Sequence, residues 1–125
     1  MNILAGQFGG RRIKTVSKLP YRPTKSRVRK SIYDSLMPFR FSMVLDLFSG
    51  SGILGFEAVS RGAQSVTFVE KHGPTLRLIK QNAAGLAGPS YIFKHCGAVS
   101  FLRRSGSFDL IFADPPYGKH DLESL

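Results

Sequence analysis

The sequence predicts an α/β protein built on a parallel sheet, and three observations carry that prediction. From residue 42 onward, strand-like and helix-like segments alternate four times. The first strand candidate, SMVLDLF, is of the kind buried on both faces in a parallel sheet. It runs directly into a glycine-rich turn, DLFSGSGILG at 46–55, where the ligand loop of such a sheet belongs.

Taken in order, SMVLDLF (42–48) is the first strand and residues 52–61 the first crossover helix. SVTFVE (65–70) is the second strand, and Pro74 suits the first turn of a helix running to about Asn82. SYIFKHC (90–96) is the third strand, AVSFLRR (98–104) a short helix, and SFDLIFA (107–113) the fourth strand. Right-handed crossovers between parallel strands follow from this alternation. Ahead of the sheet, NILAG (2–6) and RIKTV (12–16) flank a Gly9-Gly10 turn and read as a β-hairpin. SKLPYRP (17–23) is loop. Thr24 is expected to cap a helix that runs to about Met37 and is stopped by Pro38, with Val28, Ile32 and Leu36 as its apolar stripe. The chain thus divides into a basic hairpin and helix, 1–40, and a core, 41–125. Because the chain stops one short segment after the fourth strand, that core is expected to be incomplete, with the last strand an open edge.

The 125 residues fit one domain, and a chain of that size buries roughly two-thirds of its unfolded surface. The single Cys96 excludes an internal disulfide framework, and His72, His95 and His120 lack metal-ligand spacing, so no metal is expected. No apolar stretch reaches the ~20 residues needed to cross a bilayer, and the first residues lack the order of a secretory signal, so the expectation is a cytoplasmic protein with no membrane partner. The net charge is +10, and ten of the 18 Lys and Arg fall in residues 1–45 against one acid, Asp34. Lys25, Arg27, Arg29 and Lys30 crowd the first turns of the N-terminal helix. Such local asymmetry points to a polyanion partner, most simply nucleic acid.

Gly50, Gly52 and Gly55 meet the spacing G-x-G-x-x-G, and Glu70 closes the second strand. A glycine turn leading into a helix N-terminus brings backbone N–H groups to a ligand, and an acid at the end of the next strand accepts hydrogen bonds from ribose hydroxyls. This points to an adenosine-containing cofactor without saying which. Asp46 narrows the choice: a carboxylate at the loop's mouth repels a pyrophosphate but suits a cation. The sulfonium and ammonium of S-adenosylmethionine fit it better than NAD does. Phe48, in the same loop, either packs or stacks on the cofactor.

Residues 114–117 are Asp-Pro-Pro-Tyr, directly after the fourth strand. Two prolines stiffen the backbone and hold the Asp114 carboxylate and neighbouring carbonyls in a fixed array. Such an array suits methyl transfer to an exocyclic amine of a nucleobase. That amine is a poor nucleophile; hydrogen bonds from it to a carboxylate and a carbonyl orient it, while Tyr117 can stack on the base. The chemistry is then an in-line displacement driven mostly by positioning, on a base that is unstacked or unpaired.

LDLFSGSGILGFEAVSRGA, VTFVEK and FDLIFADPPY, in this order, resemble the RsmD-type enzymes, which methylate the N2 amine of a guanine in 16S ribosomal RNA with S-adenosylmethionine. ILAGQFGGRRIKT and LPYRPTKSRVRKSIYDSL resemble that family's basic hairpin and its R-P-T-x-x-R-V-R helix. The resemblance spans essentially the whole chain and implies a Rossmann-like S-adenosylmethionine-dependent methyltransferase sheet, here its first four parallel strands, behind an N-terminal β-hairpin and helix. It implies that Asp46, Ser49, Gly50 and Gly52 surround the methionine part of the cofactor, Glu70 holds the ribose, and the Ala98 backbone N–H meets the adenine. Asp114 and Pro115 would take the guanine amine, with Pro116 and Tyr117 beside the base. Arg11, Arg12 and Lys14 would touch RNA backbone, with Arg22, Thr24 and Arg27 near the catalytic pocket. The partner implied is 16S ribosomal RNA, free or within a small-subunit assembly intermediate; oligomeric state stays open. The chain departs from the family at Gly97, where members often carry an acid near the adenine, and in length, since full members continue for roughly another 60 residues. Alternatives are methylation of an adenine N6 amine in RNA or DNA, which the same tetrapeptide serves, a non-catalytic RNA-binding fragment, and a nicotinamide oxidoreductase, which Asp46 and the basic arm oppose.

Overall fold

A computed structural model describes residues 1–15, 25–103 and 106–113. Four parallel strands form one sheet: β1 (Met43–Leu47), β2 (Ser65–Val69), β3 (Ser90–Lys94) and β4 (Leu110–Ala113). Their order is β3-β2-β1-β4. The helices are α1 (Ser26–Ser35), α2 (Ile53–Ser60), α3 (Gly73–Ala84) and α4 (Ala98–Leu102). From residue 42 onward the four predicted strands and the helices between them form, trimmed by a residue or a few at their ends. No helix among the described residues is long and apolar enough to cross a membrane.

Strand periodicity sorts the core into two layers. Val44, Val66, Phe68 and Phe112 join Phe56, Val59, Leu76 and Ile79 of α2 and α3 in the larger cluster. Leu45, Leu47 and Val69 form a smaller one with Ala98 of α4. All eight residues of α2 are buried. It lies so close to β2 that a Cβ at Gly55 would stand 2.5 Å from Phe68 Cε1. Phe68 cannot easily yield, since its ring is already in contact with Phe56 and Phe93, at 5.0 and 5.9 Å between centroids.

The N-terminal segment is part of this core, with Ile3, Phe8, Ile13 and Tyr33 in the larger cluster. The expected hairpin forms as a short antiparallel pairing, an Asn2–Arg12 bridge with Ile3 N donating to the Arg11 carbonyl, Gly10 N to the Ile3 carbonyl and Ile13 N to the Met1 carbonyl, and its first arm does not extend the ladder past Ile3. The reason lies in where its backbone groups go. Leu4 and Ala5 donate their N–H groups to Glu57, and Phe8 donates to Ser60 Oγ, so the loop is tied to α2 instead of extending its own ladder.

Helix α1 departs from its expected phase. Val28 is exposed, and Arg29 and Tyr33 are the buried residues, with Ile32 and Leu36 only partly covered. Arg29 Nη1 donates to Glu57 Oε1 at 3.3 Å and to the Asn2 carbonyl at 3.0 Å, so it is a core cation and no member of the basic surface. Burial lowers the pKa of its guanidinium and the charge of Glu57 opposes that shift. Tyr33 donates to the Leu54 carbonyl at 2.5 Å while the Arg61 guanidinium covers its ring at 4.7 Å. The cap also differs: the residue before the first turn is Lys25, with no side-chain cap bond, and Thr24 lies outside the described residues. Arg29 wins the inward position because an acid fully enclosed on α2 needs it more than Val28 needs burial.

Candidate functional site

Of the residues singled out in the sequence, Asp46, Phe48, Ser49, Gly50, Gly52 and Glu70 lie at the carboxyl ends of β1 and β2. In the ladder Asp46 faces Phe68, Leu47 faces Val69 on one side, and Leu47 faces Ala113 on the other. The chain therefore reverses its strand order at β1, which leaves the crevice for a ligand between β1 and β4.

The loop out of β1 is locked by its own short bonds. Ser49 Oγ donates to the Asp46 carbonyl at 2.6 Å, and Ser49 N donates to the Val69 carbonyl at 3.2 Å, joining the loop to β2. Gly52 N returns to the Ser49 carbonyl at 2.8 Å, and helix α2 starts immediately after. Gly52 has φ 80 and sits where a Cβ would come within 2.9 Å of Phe56 Cε2, so both conformation and space demand glycine. Phe48 adopts φ 54, an uncommon state for a bulky side chain, and its partly buried ring packs against the smaller core cluster. Asp46 is buried, and its Oδ2 accepts from Gly55 N at 3.2 Å.

Glu70 is half-buried one residue past β2. Its Oε1 accepts from Gly50 N at 3.1 Å and its Oε2 from His72 N at 2.9 Å. Among the described residues no cation lies within ion-pair distance of it. A carboxylate has about four lone-pair sites. Two are filled by amides that fix its direction, and two remain for hydroxyl donors. Ala98 opens α4 behind the Gly97 cap position, with its side chain buried beside Leu45, Leu47 and Val69. The loop and the end of β2 thus bring the Asp46 and Glu70 carboxylates and the N-terminus of α2 to one place, an arrangement that suits an adenosine-bearing cation.

Asp114 follows Ala113 in the sequence, and Ala113 is paired with Leu47 next to the glycine loop. Asp114, Pro115, Pro116 and Tyr117 lie outside the described residues, as do Arg22 and Thr24. Arg11, Arg12, Lys14 and Arg27 are exposed. Arg11 also donates from Nη2 to the Gly85 carbonyl at 2.5 Å, at the end of α3. Sequence reasoning missed Glu57, Ser60 and Asn82, which fasten the N-terminal segment. The first carried a signal: one acid in an otherwise apolar helix, with Arg61 four residues on, marks a buried charge that needs partners.

Comparison with known proteins sets this geometry among relatives. Ribosomal RNA small subunit methyltransferase D of Haemophilus influenzae is 36% identical over 123 residues, covering 94% of this chain and 64% of that protein. The solved structure of the yhhF protein of Escherichia coli superposes with a TM-score of 0.84 at 32% identity, covering 94% of this chain and 64% of that one. A SAM-dependent methyltransferase of Agrobacterium tumefaciens aligns with a TM-score of 0.58 at 27% identity, over 70% of this chain and 30% of that one. The chain therefore spans a little under two-thirds of the first two. Residues 1–125 match the family described as conserved hypothetical protein 95. With glycine loop, strand order and whole-length match in agreement, the chain belongs to that family, the RsmD family whose motifs its sequence carries.

Proposed function

We propose that this chain is the cofactor-binding and catalytic part of an S-adenosylmethionine-dependent methyltransferase acting on the exocyclic N2 amine of a guanine in 16S ribosomal RNA. The observation that carries the reading is Glu70, aimed by the Gly50 and His72 amides and left with free acceptor capacity at the mouth of the β1 loop. S-adenosylmethionine, when bound, supplies an electrophilic methyl on a sulfonium. Glu70 would accept from its ribose hydroxyls, while Asp46, Ser49, Gly50 and Gly52 would border its methionine part and Asp46 would offset its positive charge. Phe48 would lie against it and the Ala98 N–H would face the adenine.

On the substrate side, Asp114 and a carbonyl of the Asp114–Pro115 pair would accept from the two amine hydrogens. These bonds orient the nitrogen lone pair toward the methyl, and Pro116 and Tyr117 hold the base against them. No strong base is needed before transfer, since the proton lost from the methylated amine leaves a far more acidic cation. Residues 1–40 are the RNA-binding part in this reading, with Arg12, Lys14, Arg22 and Arg27 meeting phosphates and Thr24 at the rim. A ribosomal RNA substrate, as a free molecule or within an assembling small subunit, makes the cytoplasm the expected compartment.

The test is methylation of naked 16S ribosomal RNA and of immature small subunits, with the product nucleoside identified by mass spectrometry. N2-methylguanosine in one position, lost in Asp114→Ala while cofactor affinity is kept, is the expected result. N6-methyladenosine would reassign the base. Methylation undiminished in Asp114→Ala would contradict the proposed role of that carboxylate.

A further inference from the structure

Three of the expected RNA contacts, Arg11, Arg12 and Lys14, sit on residues 1–15, where cross-strand bonds from Ile3 N to the Arg11 carbonyl, Gly10 N to the Ile3 carbonyl and Ile13 N to the Met1 carbonyl reach as far as Ile13 and leave Lys14 to be held from outside. Among the described residues of 1–15, Lys14 is the last one bonded to the core. Asn82 of α3, itself buried, accepts from Lys14 N through Oδ1 at 3.0 Å and donates through Nδ2 to the Lys14 carbonyl at 3.0 Å. One side-chain amide thereby pairs with both backbone groups of a residue 68 positions away, as a neighbouring strand would. Both bonds also fix the orientation of the amide, since reversing it would set oxygen against oxygen and N–H against N–H.

The consequence lies in what flanks that pairing. Ile13 is buried, so the alternation of an extended segment turns Arg12 and Lys14 outward together, and both are exposed. Arg12 is held from the other side by its bridge to Asn2, whose carbonyl is gripped by Arg29. Arg11 differs, because its guanidinium already donates to the Gly85 carbonyl beyond the end of α3. We infer that Asn82 is a positioning residue for RNA: by clamping the Lys14 backbone it presents Arg12 and Lys14 as a fixed pair of phosphate contacts. This rests on the reading of residues 1–40 as the RNA-binding part.

The experiment measures binding of the chain to naked 16S ribosomal RNA over a series of KCl concentrations, alongside S-adenosylmethionine affinity and melting temperature. Asn82→Ala should weaken RNA binding roughly tenfold and lower the salt slope by about 1 to 2, the mark of lost phosphate contacts, with cofactor affinity unchanged. Asn82→Asp keeps the acceptor for Lys14 N but loses the donor, and should fall between. Combined with Arg12→Gln and Lys14→Gln, Asn82→Ala should add little further loss, because it acts through those two cations. A lowered melting temperature with an unchanged salt slope, or full additivity with the Arg12 and Lys14 changes, would overturn the inference. If the unaltered chain shows no salt-dependent binding, the RNA-binding reading itself fails, and this inference fails with it.

Discussion

Two glutamates, Glu57 and Glu70, do opposite things with the same group. Glu57 is fully enclosed, and each of its oxygens takes two donors: Leu4 N and Arg29 on Oε1, Ala5 N and Arg61 on Oε2. Its lone pairs are used and its charge is balanced by two guanidiniums. Glu70 takes one amide on each oxygen and meets no cation among the described residues. The first is a fastening between the N-terminal segment and the sheet layer. The second is an aimed and unfinished acceptor at the ligand crevice. A carboxylate saturated by its own fold serves stability; one oriented but half-satisfied at a strand's carboxyl end is available to a ligand.

That contrast breaks most visibly on truncation. Glu57→Ala leaves the Arg29 and Arg61 charges in the interior and two amides without acceptors, and should cost about 3–5 kcal/mol in denaturant unfolding. Glu70→Ala loses two hydrogen bonds at a half-exposed site and should cost only about 1 kcal/mol, yet lower cofactor affinity by about tenfold or more. Equal stability losses for the two would dissolve the distinction.

The packing that sets the loop against the sheet comes next in size. Gly55→Ala would push a methyl toward Phe68 and Val66 and should destabilise by about 1–3 kcal/mol. Because Gly55 N also donates to Asp46, S-adenosylmethionine affinity should fall with it. Equilibrium unfolding and titration of the same variant separate the two effects.

The smallest effects are those of pH. Asp109 is a third carboxylate held by two amides, Met43 N and Ser42 N, at the opposite end of the sheet, and those bonds keep its pKa below the ordinary value of 3.8. Its contribution is present above that value and is lost as pH falls beneath it, so Asp109→Asn should flatten the acid limb of the stability profile. At the alkaline end, burial pushes the Tyr91 phenol up to about 12 from 10.0. The folded chain holds that proton more tightly, so stability is complete below pH 10 and declines as pH rises through about 12. Tyr91→Phe should remove that part of the decline, read from melting temperature against pH.

Much of this was legible in the sequence, because alternating apolar runs and glycine turns are local signals. SMVLDLF and SVTFVE became neighbouring buried strands, and the spacing of Gly50 and Glu70 brought them within hydrogen-bond distance. What escaped was non-local. Periodicity put Val28 inside α1, but Arg29 went in because its partner sits 28 residues away on α2. The hairpin pairs at Ile3, Gly10 and Ile13, but the Leu4, Ala5 and Phe8 amides go to Glu57 and Ser60 more than 50 positions on. Asn82 reads as the polar end of a helix, and its partner, Lys14, lies 68 positions away.

The most direct test of the central claim is calorimetric titration of the chain with S-adenosylmethionine, with NAD as control. Binding of S-adenosylmethionine in the micromolar range and none of NAD is the predicted result, abolished or much weakened in Glu70→Ala. Binding of NAD, or of neither by a folded chain, would contradict the reading of the β1 loop as a sulfonium-cofactor site.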